Sequence, residues 1–533
     1  MDDVPGPSRA SFLLGNALQI SGRQSWEFHA AIARKYGPVI KLHWLFGTEA
    51  LYVFDLLALS HIIKNQEKFD QPSWYVETHN MMLGPGLLSV TGDTHRKQRK
   101  MLTPVFSAKH LRTVVPIFYQ VTDKLIQAIS NRVPTHSEST DIDVLAWMSR
   151  AALELIGQGG IGYSFDPLIE DISDAYADAA KYFVVTATSP EMIPLRQMAP
   201  FLKHLGPSWL LRWVMEKSPV RLVRRMVQIT DVLHERSLEI FRAKRAAIEA
   251  GDDSDSKDIL SIMLRANMAA SGEDQLPEDQ LLGQMSTIIF AAMDTTSNAM
   301  ARTLQLLAEH PQVQTKLRRE IVDAKVGGNH LDYDQLHALP YLDAVCRETL
   351  RLHPVAPMIF RQAFEDTVLP LSHPIRATDG TLLREIAVPR GTNILVSILA
   401  CNRDKALWGA DADEWKPERW LAPLPAEVES AAIPGVYSNM MTFSGGARGC
   451  IGFTFSQLEM SRSTPVNYVR PSMLRQSAIH MAEVVLSEML ANFTFELSER
   501  PAVWNLAGVS YPTASTESTK QELWLKVKKV HEQ

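Results

Sequence analysis

The chain has 533 residues, 46% of them hydrophobic and 21% charged, an ordinary globular composition with ample material for a buried core. Its formal net charge of −6 argues against a nucleic-acid binder. Only three cysteines occur, Cys346, Cys401 and Cys450, too few for a disulfide framework, so a reducing compartment or the cytosolic side of a membrane fits best.

In chain order, Asp2 and Asp3 precede Pro5-Gly6-Pro7, a start that reads as neither a signal peptide nor an anchor. No apolar run approaches the roughly 20 residues needed to span a bilayer. Residues 25–37 read as a helix closed by Gly37, and 39–46 and 49–55 as two strands. Residues 70–92 read as a long irregular segment turning at Gly84-Pro85-Gly86, a length usually tied to function. Helical patterns follow over 93–102, 110–132, 144–157, 167–186 and 220–250, then a polar linker over 251–258. Further helices are expected over 277–309, 313–324 and 342–352. Strand-like pieces return over 368–398 around a turn at Asp379-Gly380, and a final hairpin after Phe493 turns near Tyr511-Pro512. Nothing in the pattern marks a boundary between two cores. The expectation is one large domain over 1–533, mainly α with small β-sheets (α+β).

Four constellations carry chemistry. Residues 443–460 form a glycine-studded loop that delivers Cys450 and runs into a helical pattern. Orphan N–H groups at a helix start favour a thiolate, and Arg448 adds positive charge nearby. Gly445, Gly446, Gly449 and Gly452 lack the Cβ that would keep this backbone from folding tightly beneath a flat ligand. Glu348 and Arg351 share a helix face at i and i+3. Thr295 lies inside the 277–309 helix, where a threonine ordinarily points outward or bonds back to the i−4 carbonyl. His95 and Arg99, at i and i+4, reach one side of a helix whose Arg96, Lys97 and Lys100 read as a solvated basic face.

Phe443, Gly446, Arg448, Cys450 and Gly452 match FxxGxRxCxG, and the loop resembles the haem-binding signature of the cytochrome P450 family. Glu348-Thr349-Leu350-Arg351 is similar to the family's ExxR and Pro417-Glu418-Arg419-Trp420 to its PERF segment. Residues 291–296 look like [AG]GxDT[TS], with Ala292 where glycine is usual. His95 and Arg99 resemble WxxxR with histidine for tryptophan, and Arg361 matches a further propionate-binding position.

The resemblance implies the P450 fold, with haem b (iron protoporphyrin IX) between a long central helix and the cysteine loop. It makes Cys450 the axial thiolate and metal ligand. His95, Arg99 and Arg361 would hold the propionates, and Phe443, Gly446 and Arg448 would complete the cofactor site. Asp294 and Thr295 become the catalytic proton-delivery pair, and Glu348, Arg351 and Arg419 a buried network under the cysteine loop. The implied reaction is that of a haem-thiolate monooxygenase: one oxygen atom from O2 enters an apolar small molecule, such as a terpenoid or another fungal secondary metabolite. Electrons come from NADPH through the flavins of NADPH–cytochrome P450 reductase, docked on Arg96, Lys97 and Lys100. By the same analogy, apolar substrate contacts lie in 70–92, 182–192, 288–292, 355–359 and 503–506. A monomer is implied, with peripheral membrane contact on the cytosolic face of the endoplasmic reticulum and no nucleic-acid partner.

Two rival readings stand beside this one. A haem-thiolate isomerase or peroxygenase would need no proton relay, which Asp294 and Thr295 argue against. A non-catalytic or inactivated haem-binding protein would follow from an atypical insertion at 461–481. There Pro465 and Pro471 cannot continue a helix, so the helix after Cys450 is expected to stop near Met460 and resume near Ala482. The insertion reads either as a surface loop or as translated intron sequence. The membrane helix that eukaryotic members carry ahead of Pro-Gly-Pro is absent from this sequence.

Overall fold

The computed structural model describes residues 1–134, 138–168, 175–202, 204–251, 256–325, 330–437, 439–453 and 477–530. Helix dominates. The first helix longer than five residues, α1 (Trp26–Tyr36), ends at Gly37, which takes φ +85°. β1 (Val39–His43) and β2 (Glu49–Val53) pair antiparallel, as their β-branched and aromatic content predicts. α2 (Leu56–Lys64) follows, capped by the Asp55 carboxylate. β3 (Phe69–Asp70) then leads into α3 (Ser73–Leu83), an eleven-residue helix where an irregular segment was expected. Its apolar residues fall on no single face, which is why periodicity does not reveal it.

α4 (Gly92–Leu102), α5 (Ala108–Ser130) and α6 (Val144–Ile156) take the expected bounds to within a residue or two, and β4 (Thr140–Asp143), which had no forecast, leads into α6. α7 (Ala175–Ala187), α8 (Ile193–Leu202), α9 (Ser208–Glu216), α10 (Arg221–Ala250) and α11 (Ile259–Ala269) then build one side of the molecule. Of these, α8, α9 and α11 are short and have no forecast in the sequence. α12 (Glu278–Glu309) has 32 residues and so runs about 48 Å. It carries buried side chains into two separate cores. Met285, Ile288 and Met293 join α7, α10 and α11, while Met300, Leu304 and Leu307 join α5 and α6. α13 (Pro311–Ala324) and α14 (Pro340–Leu352) pack in the second of these.

A third core lies under a five-stranded sheet ordered β1-β2-β8-β5-β3, closed by β5 (Met358–Ala363) and β8 (Asn393–Ser397). β6 (Thr367–Arg376) and β7 (Leu382–Val388) form a hairpin across Asp379-Gly380. Register in the large sheet sets Asp70 opposite Gln362, beside Arg361, across 291 positions of sequence.

α15 (Ser477–Asn492) begins five residues before the expected Ala482. The helix start after Cys450 and residues 461–476 of the insertion lie outside the described residues. The C-terminal region corrects an expectation. Tyr511 and Pro512 lie in β11 (Tyr511–Thr513), paired with β10 (Val503–Asn505), rather than in a turn. β9 (Phe493–Leu497) and β12 (Trp524–Lys529) form the outer hairpin with β4.

Candidate active site

Cys450 sits in a loop fastened from both arms. Its N–H donates to the Phe443 carbonyl at 2.9 Å, and the Phe453 N–H donates to its own carbonyl at 3.0 Å. The Phe443 and Phe453 rings stack with centroids 4.9 Å apart, and the Tyr437 ring meets both. Two of the glycines act differently from the sequence expectation. A Cβ on Gly445 would lie 1.9 Å from the Pro434 carbonyl oxygen, and one on Gly446, which takes φ +62°, 2.7 Å from that of Ile63. Their smallness lets the back of the loop seat against the protein, and Gly446 stands behind the cavity wall instead of lining it.

The cavity in front of the loop holds about 1250 Å³ of empty space, mouth included. One wall is a single stripe of α12, made of Gln284, Thr287, Ile288, Ala291, Ala292 and Thr295. Opposite stand His95 and Arg99 of α4, with Phe443, Arg448 and Cys450 of the loop. Gln284 and Thr287 were not singled out by motif, yet each keeps a buried polar atom without a partner, Nε2 and Oγ1. Counting back from Thr295 at helical spacing would have found them.

Cys450 is exposed, but what it faces is this cavity, far from bulk solvent. Burial pushes its thiol pKa up, while hydrogen bonding from the Gly452 N–H and the charge of Arg99 pull it down. The sulfur is thus an uncharged thiol until a cation in the cavity favours the thiolate.

Thr295 donates its hydroxyl to the Ala291 carbonyl at 2.6 Å, the ordinary back-bond of a helical threonine, and it does so at the cavity wall. Asp294 does not line the cavity. It is buried on the flank of α12, where Asn298 Nδ2 donates to its Oδ1 at 3.2 Å. Burial pushes its pKa from 3.8 up to about 7, against the pull of Lys181 and Asn298. A raised carboxyl pKa costs stability that is absent below the unfolded value and complete above the folded one. The stability gap between Asp294→Asn and the parent should therefore move in favour of asparagine as pH rises from about 4 to 7. Its size is on the order of 4 kcal/mol, read from denaturant midpoints at the two ends of that range. A flat difference would place Asp294 among ordinary carboxylates.

One end of the cavity is crowded with cations. Arg448 donates from Nε and Nη2 to the Asp70 carboxylate at 2.8 and 3.0 Å, and from Nη2 to the Val90 carbonyl, leaving Nη1 buried without a partner. Arg99 donates from Nη1 to the Gly449 carbonyl at 2.8 Å. His95 Nδ1 is likewise buried and unpartnered. Burial, then the charges of Arg448 and Arg99, push its pKa down to about 3, so the ring is neutral. Arg361 stands behind the lining, and its pKa is pushed down to about 10 by burial and by Arg448. Asp70, which the motifs did not mark, answers this cluster with one carboxylate. The surplus of buried donors fits a ligand that brings carboxylates of its own, as the two propionates of haem would.

The support beneath the loop is a closed network. Glu348 and Arg351 are fully buried, joined by bonds of 2.8 and 2.9 Å. Arg351 Nη1 also donates to the carbonyls of Asn402 and Ala412. Arg419, Trp420 and the Lys416 N–H donate to the same glutamate. Asn402 Oδ1 in turn accepts from the Met441 N–H, and its Nδ2 donates to Thr442 Oγ1. The network thus reaches the residue before Phe443. Asn402 and Thr442 lie in no motif and have no local signal.

The proposed substrate stretches are only partly assembled. Gln71, Leu87, Leu88 and Ile288 reach the cavity. Val355 and Val503 line a different pocket, and Met192 a third. From the insertion, Met481 is buried and lines the cysteine cavity.

Comparison with known proteins agrees with this arrangement. The profile described as Cytochrome P450 matches residues 5–463. Cytochrome P450 monooxygenase 91 of Postia placenta is 48% identical, the alignment covering 99% of this chain and 94% of the relative. Cytochrome P450 monooxygenase 219 of the same fungus is 45% identical over 99% and 93%. A ganoderic acid synthetase of Ganoderma lucidum is 45% identical over 99% and 94%. The chain belongs to the cytochrome P450 family and is a haem-dependent monooxygenase, an oxidoreductase that incorporates oxygen from O2.

Proposed function

We propose that the chain oxidises an apolar terpenoid-sized small molecule, with Cys450 as the haem ligand and Asp294 and Thr295 as the proton-delivery pair. What supports the reading is that Cys450 and Thr295 face one apolar cavity, and that Arg448 on its wall keeps a buried Nη1 without a partner. When bound, haem supplies the activation of dioxygen and the transfer of one oxygen atom to substrate. The chain supplies the rest. His95, Arg99 and Arg448, with Arg361 behind them, would hold the propionates, and Phe443 would line the site beside Cys450. Leu87, Leu88 and Ile288 keep the substrate's surroundings dry. Asp294, with its pKa near 7, gains and loses a proton at neutral pH. Thr295 passes that proton into the cavity when its hydroxyl turns from the Ala291 carbonyl.

Electrons arrive from an NADPH-dependent flavoprotein reductase on the exposed face of α4, where Arg96, Lys97 and Lys100 stand clear of the cavity. No helix among the described residues is long and apolar enough to cross a membrane. Phe201, Leu205, Trp209 and Trp213 are each more than half exposed, and their apolar surface supports peripheral contact with the endoplasmic reticulum. In this reading 1–533 is one monomeric P450 domain, with 461–481 as an insertion. The ganoderic acid synthetase among the relatives favours a terpenoid substrate.

The deciding measurement is the spectrum of the reduced protein under carbon monoxide. The Soret band of a cysteinate-ligated haem is expected, and a band of ordinary histidine-ligated type would reject the thiolate. Thr295→Ala should then lower product formed per NADPH consumed by about tenfold or more while the band is retained. Unchanged coupling would remove Thr295 from the relay.

A further inference from the structure

A second large pocket lies among α3, α8, α9 and α10 and shares no lining residue with the cysteine cavity. It holds about 1670 Å³ of empty space, mouth included. Its wall is greasy, with Met81, Met192, Leu211, Met215, Val223 and Met226 prominent. Methionine-rich walls are adaptable and suit irregular apolar bodies.

Arg196 of α8 breaks this surface. Its Nε is sealed from solvent without a hydrogen-bond partner. Nη1 donates to the Ala187 carbonyl at 3.3 Å, and the guanidinium lies over the Trp74 ring at 5.1 Å. Among the described residues, no aspartate or glutamate lines the pocket. The other cations there are accounted for: Arg212 is held by Asp231 and Glu216, and Lys217 is exposed at the mouth. Burial pushes the Arg196 pKa down to about 10, and only Tyr75 opposes it.

Arg196 is half-buried as a residue, but its Nε is shut off from water, and a guanidinium nitrogen so placed is costly without an anion. The end of α7, through Ala187, satisfies one of its five donors, and the face of Trp74 recovers part of the lost solvation. What completes it is a planar anion able to accept two parallel N–H bonds, which is the geometry of a carboxylate. The methionine wall selects an apolar body attached to that group.

We propose that this pocket binds an amphiphilic carboxylate, an apolar acid whose carboxylate pairs with Arg196 and whose body lies on the methionine wall. As a place where acidic substrate gathers beside the oxidising site, it rests on the monooxygenase reading; as a binding site, it does not. α3 and the turn after it separate the two cavities, since Met81 and Met82 line one and Leu87 the other. Most of the residues lining it come from four helices, three of which (α3, α8 and α9) had no forecast in the sequence.

Calorimetric titration of the haem-loaded protein with dodecanoate and with methyl dodecanoate tests this. The acid should bind at least tenfold more tightly than its ester. Arg196→Met should abolish that preference while leaving ester affinity in place, and Arg196→Lys should restore part of it, since lysine keeps the charge but not the fork. Equal affinities for acid and ester in the parent protein overturn the proposal without any variant, so a folding defect cannot shelter it. A preference that survives in Arg196→Met also overturns it. The carbon monoxide spectrum of each preparation reads the thiolate separately. If that spectrum fails while the Arg196-dependent preference holds, the monooxygenase reading falls and this site stands.

Discussion

Cys450→Ser is expected to abolish the thiolate-type carbon monoxide spectrum and all substrate oxidation, the largest loss any single replacement should cause. The reason is positional as much as chemical. A serine hydroxyl fits the same loop, because the bonds that hold it run through the backbone of Phe443, Cys450 and Phe453 and through stacked rings, not through the sulfur. The fold should therefore survive, and far-ultraviolet dichroism should be unchanged. What disappears is an atom able to become an anion beside a metal, since a serine oxygen stays protonated where a cysteine does not. Cys346→Ser and Cys401→Ser serve as controls. Both side chains are buried in apolar cores away from the cavity, and burial pushes the Cys401 thiol far above its ordinary range. Their loss should leave the band intact. A thiolate band persisting in Cys450→Ser would remove Cys450 from the site.

Arg351→Leu is expected to cost about 3–5 kcal/mol by leaving a buried carboxylate without its main partner. Against the roughly 5–15 kcal/mol that holds an ordinary domain together, this is a large share of the total and should lower the denaturant midpoint plainly. Arg351→Lys should rescue little. Glu348 receives two parallel guanidinium bonds while Nη1 binds the carbonyls of Asn402 and Ala412, a fork that an ammonium cannot reproduce. The exposed Arg34–Glu27 pair is shorter, at 2.6 Å, yet its removal should change stability by nothing measurable, because both side chains are more than two-thirds exposed. Denaturant midpoints for the three variants separate these outcomes. Parent-like stability in Arg351→Leu would show that the network is ornamental.

Legibility followed sequence distance. Cys450 with Arg448, Glu348 with Arg351, Asp294 with Thr295 and His95 with Arg99 were each readable because each falls in a short motif that resembles the family's, spanning no more than one or two turns of backbone. At that range helical or loop geometry dictates which side chains meet. α12 was legible for the same reason, being long, apolar and free of breakers. Even there the reading was incomplete. Asp294 and Thr295 adjoin in sequence but point to different sides of the helix, one to Asn298 and one into the cavity.

The sequence by itself determined the residues in play: one cysteine in a glycine-rich loop, an adjacent acid and alcohol in a long helix, and cations spaced to share a helix face. Only the tertiary structure decided what each of these meets. Arg448 finds Asp70 across 378 positions, and Arg99 finds the Gly449 carbonyl across 350. Asn402 reaches the cysteine loop without belonging to any motif, and Arg196 ends in an apolar pocket with no anion. Such meetings depend on sheet register and on the packing of helices far apart in the chain, and neither leaves a periodic trace in the residues involved.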